Sequence, residues 1–236
     1  MQAEIIDQLR QVSTATVTMQ LLKRGFRTGS MTGLRLWGAD TARMVGPAYT
    51  LRYIPAREDL CGAPKPGEPP TAQRLAIEEC PVGHILVMAT EGERRCGTIG
   101  DILAERLAVR QVGGVVTDGA IRDAGVIAGI KLAVYAAATA APASMNQLYP
   151  VEVQRPVGCA GAAVFPGDII VGDADGVVVI PQHLSAEIAR DGLEQERVER
   201  FVAREVRRGR STLEVYPPSD TVKAEYRRWV EAGEPA

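Results

Sequence analysis

The chain is poor in the residues on which several kinds of function depend. Only two histidines occur in 236 residues, and the four cysteines, Cys61, Cys80, Cys96 and Cys159, stand far apart with no Cys-x-x-Cys pair, which argues against a zinc site and for reduced thiols in a cytoplasm. Aromatic residues make up 5%, leaving few platforms on which bases could stack. Charge of one sign is also lacking. Lys and Arg number 27 against 29 Asp and Glu, for a formal net charge of −2 and a pI near 5.8, so direct nucleic-acid binding is not expected. No long apolar run is present. The most apolar stretch, 125–143, is rich in alanine and contains Lys131 and Pro142, so it reads as strand and loop and not as a membrane span. Glu4 and Asp7 stand where a secretory leader needs an uninterrupted apolar region. A soluble, cytoplasmic protein is the expectation.

What is present suffices for one substantial core. Hydrophobic residues make up 46% and charged residues 24%, ordinary values for a soluble domain. Helical spacing covers 3–12 and 14–24, closing at Gly25, with Ser13 as a cap. Strand material follows at 43–54 and a proline- and glycine-rich loop at 57–70. A helix at 72–79 and a strand at 84–89 come next. Beyond residue 130, short apolar runs at 133–137, 151–154, 164, 169–171 and 177–180 are bounded by glycines and prolines, which suggests more than one sheet layer in an α/β protein. Asp175-Gly176 reads as a hairpin turn, because the spaced ligands and terminal glutamate of a calcium loop are missing around Asp173 and Asp175. A charged helix is expected over 183–209.

The chemistry concentrates between these parts. Gly97-Thr-Ile-Gly-Asp101 precedes a helical run, 102–110, and Val115-Val-Thr117 reads as a buried strand ended by an Asp118-Gly119 turn, after which Arg122 and Asp123 follow. Twenty residues separate Asp101 from Arg122, a spacing that sets three charged side chains at the mouth of one strand–helix–strand unit. Asp101 is expected at or near the helix N-cap. Gly100 would let a ligand approach the backbone, and the amides of Ile102 and Leu103 would face an anion at the positive end of the helix. Arg122 can grip a carboxylate bidentately, and Asp123 can hold a hard divalent cation that keeps most of its coordination as water. The bland alternative is a cap, a turn and a surface ion pair.

At these residues the chain resembles the RraA-like family, whose Asp-x20-Arg-Asp pattern is met by Asp101, Arg122 and Asp123. Gly46-Pro-Ala-Tyr-Thr50 and Gly172-Asp-Ala-Asp-Gly-Val-Val-Val-Ile-Pro181 extend the resemblance to about residues 10–215. The family includes the class II pyruvate aldolase acting on 4-hydroxy-4-methyl-2-oxoglutarate and 4-carboxy-4-hydroxy-2-oxoadipate. The resemblance implies a three-layer β/β/α sandwich with N- and C-terminal helices, here one domain over 1–236 with a C-terminal extension from about 216. It implies a Mg²⁺- or Mn²⁺-dependent lyase that forms a pyruvate enolate from a 2-oxo acid, with oxaloacetate decarboxylation as a side activity. Asp123 would lie on the metal, Arg122 on the pyruvoyl oxygens, and Asp101 on a water of the metal's shell.

The resemblance further implies a trimer or a hexamer in which a glutamate of the C-terminal helix reaches the neighbouring subunit's site. Counting back from Gly209 points to Glu199, with Glu196 one turn earlier. Two alternatives follow from the same resemblance: a dehydratase or decarboxylase of a related 2-oxo sugar acid, and a non-catalytic regulator that binds ribonuclease E. The chain also departs from the family's usual pattern. Val17-Thr-Met-Gln-Leu21 lacks an acidic position, His84 stands where an acid is common, and Gly67-Glu-Pro-Pro70 lies in a long connector. These departures leave the metal and pyruvoyl groups intact and bear on the rest of the substrate. His84 and His183 lie outside the motif and read as structural.

Overall fold

Strands buried on both faces set the architecture, and helices and a hairpin cover them. The computed structural model describes residues 2–39, 43–59, 61 and 67–235. Helices α1 (Gln2–Leu9) and α2 (Thr14–Lys23) lead into strands β1 (Ser30–Met31), β2 (Arg35–Leu36) and the long β3 (Met44–Pro55). Then come α3 (Ala72–Glu79), β4 (Ile85–Ala89), α4 (Asp101–Val109), β5 (Gly114–Ile121), the one-turn α5 (Ala124–Ile127) and β6 (Val134–Thr139). Strands β7 (Leu148–Val153), β8 (Val157–Cys159), β9 (Ala162–Val164), β10 (Ile169–Asp173) and β11 (Gly176–Ile180) precede helices α6 (Ser185–Arg207), α7 (Thr212–Val215) and α8 (Asp220–Glu231). Of the expected loop at 57–70, residues 60 and 62–66 lie outside the described residues.

The main sheet runs β1-β11-β10-β3-β4-β5-β6-β2, with β7 also paired to β3, and β8 pairs with β9 separately. Strands β3, β4, β5 and β6 are parallel, so their C-terminal ends share one edge, the place where α/β sheets hold ligands. Alternation splits each central strand between two cores. In β4, Leu86 and Met88 join Ile77, Ala104, Leu107 and Ile127 from α3, α4 and α5. Ile85, Val87 and Ala89 point the other way, toward Val157 and Val164 of the β8–β9 hairpin and Ile170 and Val177 of β10 and β11. The sheet therefore curls over a second interior. Tyr135 of β6 spans it, donating its hydroxyl to the Asp173 carbonyl at 3.0 Å, and a Cβ at Gly172 would sit 3.0 Å from the Tyr135 ring.

Terminal helices cover the outer side of β10 and β11, where Leu9, Val12, Val17 and Leu21 meet Ile169, Val171 and Ile188. Ser13 caps α2 as expected, accepting from the Thr16 N–H. The mixed α/β sheet with terminal helices agrees with the expectation. Not foreseen were the short strands β1, β2 and β8, the one-turn helices α5 and α7, and α8, whose Tyr226 and Trp229 stack against Phe201 of α6 in a small core of their own. Among the described residues no helix is long and apolar enough to cross a membrane, and the four cysteines are free thiols.

Candidate active site

The site is assembled where the segment after β4 crosses the end of β5. Thr98 donates both its N–H (2.7 Å) and its hydroxyl (3.0 Å) to the Ala120 carbonyl, the Gly97 N–H reaches Pro142 O at 2.8 Å, and the Arg122 N–H reaches Ile99 O at 2.9 Å. These bonds press residues 97–100 onto Arg122 and Asp123. The approach is close: a Cβ at Gly97 would lie 2.7 Å from the Arg122 backbone nitrogen, so that glycine is required there, and one at Gly100 would lie 2.7 Å from Asp123 Oδ2 and push the carboxylate aside. Gly100 is the N-cap of α4 and Asp101 its first residue. Arg122 and Asp123 thus lie against Gly100 at the start of α4, whose first residue is Asp101; the Asp101 carboxylate itself turns to its own helix, accepting from the Ile102 N–H.

Asp123 holds a left-handed backbone, φ 57 and ψ 35, at the N-cap of α5, yet its side chain makes no cap bond. An aspartate tolerates this conformation better than most residues, and the carboxylate is left for other work. It lies beside Arg122, with Nε to Oδ2 at 3.2 Å, and the two side chains are 41% and 35% exposed. Among the described residues no group of three or more His, Cys, Asp or Glu side chains could hold a metal. A lone, partly exposed carboxylate such as Asp123 could hold a hydrated hard cation such as Mg²⁺ or Mn²⁺, and does not suit zinc.

Three expectations need correction. The Ile102 N–H is not free, because Asp101 Oδ1 accepts it at 2.7 Å, while Leu103 remains among the first-turn donors that the helix ladder does not use. Asp118-Gly119 is not a turn. Both residues lie within β5, where the register shifts between Thr117 and Ala120. The buried Asp118 carboxylate accepts from Thr90 N (2.7 Å), Thr90 Oγ1 (2.8 Å) and Gly92 N (3.1 Å), which anchors the start of the site loop. Gly119 is needed because Thr90 Oγ1 would lie 2.7 Å from its Cβ. Glu196 is engaged inside its own chain, accepting from the Ser13 N–H at 2.8 Å. Burial opposes its ionisation, but hydrogen bonds from Ser13 and Thr16 and the charge of Arg43 outweigh that and hold its carboxyl below the usual range.

Glu199 lies on α6, accepting from Gln195 Nε2 at 2.8 Å, and lines an open groove of about 1040 Å³ with Met19 of α2 and Tyr216, Lys223 and Tyr226 near α8. His183 is exposed and His84 half-buried. One supporting residue had no signal in the sequence: Gln73 of α3 donates to the Thr98 carbonyl at 2.5 Å and so steadies the loop from behind.

Residues 3–179 match the family profile described as RraA-like: Aldolase/RraA. The chain belongs to the RraA-like family. Protein DlpA of Legionella pneumophila is 27% identical over 203 residues, 84% of this chain and 32% of DlpA, so the chain spans about a third of that relative. A Halalkalibacterium halodurans protein provisionally named 4-hydroxy-4-methyl-2-oxoglutarate aldolase is 29% identical over 183 residues, 77% of this chain and 79% of that one. Among solved structures, Streptomyces coelicolor RraAS2, described as an unusual member of the RNase ES inhibitor RraA protein family, is similar with a TM-score of 0.75. It is 31% identical over 84% of this chain and 94% of that chain. The RraA-like relatives carry both an aldolase name and an inhibitor name, so function must be argued from the site.

Proposed function

We propose that this RraA-like chain is a divalent-metal-dependent lyase that cleaves a 2-oxo acid through a pyruvate enolate. The observation that carries the reading is the clamp of Gly97 and Gly100 on Arg122 and Asp123, in which two glycines let the loop close on a pair that no core requires. When bound, Mg²⁺ or Mn²⁺ held by Asp123 and water would act as a Lewis acid toward the 2-oxo group. Arg122 fixes the carboxylate–keto end with its planar fork and faces the negative charge that develops as the bond to C3 breaks. The positive end of α4, with Leu103 N–H, lies on the same side. Asp101 orients the water that takes the proton of the C4 hydroxyl and returns one to C3. Oxaloacetate passes through the same enolate, so its decarboxylation accompanies the main reaction.

The reading includes a ring of subunits, a trimer or a hexamer, in which Glu199 completes a neighbour's site. Ile102 and Val126, which flank the charged centre, are 76% and 54% exposed, an apolar rim suited to a subunit boundary. Mixing inactive Arg122→Ala and inactive Glu199→Ala subunits tests this, since some interfaces then pair both intact residues and partial activity returns. A fully active monomer in sedimentation, or a Glu199→Ala protein with unimpaired turnover, would defeat the shared site. RraAS2 raises a second reading, a non-catalytic regulator. Such a protein keeps its partner when Arg122 and Asp123 are both replaced.

A further inference from the structure

A second cavity, of about 420 Å³, opens at the same C-terminal edge of the parallel strands, beside the ends of β3 and β4, and its lining includes Glu58, Glu91, Glu93, Arg95, Asn146 and Gln147. Two chain segments link it to the Arg122–Asp123 centre. One is the loop after β4, which lines the cavity with residues 90–93 and 95 and then meets Arg122 and Asp123 through Gly97 and Gly100. The other leaves β6, where Ala140 N–H bonds Ile121 O and Pro142 O accepts from Gly97, and reaches the cavity at Asn146 and Gln147. Asp118 fixes the common loop by its bonds to Thr90 and Gly92.

The lining discriminates between kinds of ligand. The guanidinium among the described lining residues is already committed, because Arg95 Nε lies 3.0 and 3.1 Å from the two oxygens of Glu93 and Nη2 lies 2.5 Å from Oε2. Those bonds from the Arg95 side chain, with one from its backbone, hold Glu93 down at about 2, so the pair stays charged through the working pH range. Glu58 and Glu91 add two further carboxylates. A substrate carboxylate would meet like charge here and, among the described lining residues, no free cation. Hydroxyl groups would find ionised acceptors and, in Asn146 and Gln147, amides that both donate and accept.

We infer that the centre acts on a 2-oxo acid whose far end is a chain of hydroxyl groups, a 3-deoxy-2-oxo sugar acid, and that this cavity receives that end. The inference rests on the lyase reading and names its substrate class. In the reaction the C4 hydroxyl loses its proton, the C3–C4 bond breaks, and C4 becomes an aldehyde. The electron pair passes into the enolate of pyruvate, which takes a proton at C3. Pyruvate and a hydroxyaldehyde result, and no oxidant or reductant is consumed.

The test measures pyruvate release by the purified chain with Mn²⁺ from three compounds: 2-dehydro-3-deoxygluconate, 4-carboxy-4-hydroxy-2-oxoadipate and oxaloacetate, the last of which reads the centre alone. The expected kcat/KM for the sugar acid exceeds that for the tricarboxylate at least tenfold. Asn146→Leu should lower the ratio of sugar-acid to oxaloacetate kcat/KM about tenfold. Glu93→Gln, which releases Arg95, should move preference toward the tricarboxylate. Oxaloacetate turnover with the tricarboxylate preferred, or with both variant ratios unmoved, overturns the substrate class and leaves the lyase. Absence of pyruvate from all three compounds overturns the lyase reading and the substrate class with it.

Discussion

Gly100 offers a perturbation in which activity and stability should part. A methyl group there would stand 2.7 Å from Asp123 Oδ2 and 3.1 Å from Arg122 Cγ, so the carboxylate must retreat about 0.7 Å to regain ordinary contact at 3.4 Å. A displacement approaching 1 Å in a reacting constellation costs on the order of 100-fold, and Gly100→Ala should lower kcat/KM by about 10- to 100-fold. The backbone itself accepts alanine, since φ is −116 and ψ is −174, and the weaker N-cap costs under about 1 kcal/mol. Gly100→Ser sharpens the separation, because serine is the better cap by a few tenths of a kcal/mol yet brings the same Cβ. Gly158→Ala, where a Cβ meets nothing within 4 Å, serves as the control. Steady-state kinetics and urea unfolding on the three variants decide the matter. If folded Gly100→Ala and Gly100→Ser both keep near-native kcat/KM, the close approach of loop and carboxylate has no catalytic purpose.

Three further outcomes are expected. Arg122→Lys should not rescue Arg122→Ala, because a point charge lacks the planar fork, and a lysine variant with near-native kcat/KM would show that the guanidinium does not orient the substrate. Asp118→Ala removes three charge-assisted bonds, two of them buried, and should cost about 2–4 kcal/mol of stability; a loss below about 1 kcal/mol in urea melts would mean that the site loop has other anchors. Glu196 ionises more readily folded than unfolded, so its contribution is complete above the unfolded carboxyl range and is lost as pH falls through the lower folded value. Glu196→Gln should therefore flatten the acid limb of stability against pH, and an unchanged limb would contradict the Ser13 contact.

Legibility from sequence followed the range of the interactions. The site loop was readable because its glycines, the helix start at Asp101 and the Arg122–Asp123 step are local or lie one strand–helix–strand unit apart. Asp118-Gly119 misled for a definite reason: the pair has strong turn chemistry, but the carboxylate finds three donors 26 and 28 residues away, and that contact keeps the chain in a strand. Glu196 depends on a partner 183 residues distant, which no spacing reveals. Helix α8 did leave a signal, Ser219 as cap followed by Val222, Tyr226 and Trp229 at helical intervals, and it was lost in the charge around it. The polar cavity beside β3 and β4 could not be read at all, since it joins residues from three separated segments.

The central claim is that Asp123 and Arg122 form a metal-dependent lyase centre. Its most direct measurement is pyruvate release from oxaloacetate by the purified chain, followed with Mg²⁺ or Mn²⁺, after chelation, and in Asp123→Ala. The account predicts turnover that chelator abolishes and metal restores, and none above background in a folded Asp123→Ala protein. Turnover that survives chelation, or full activity in Asp123→Ala, would contradict it.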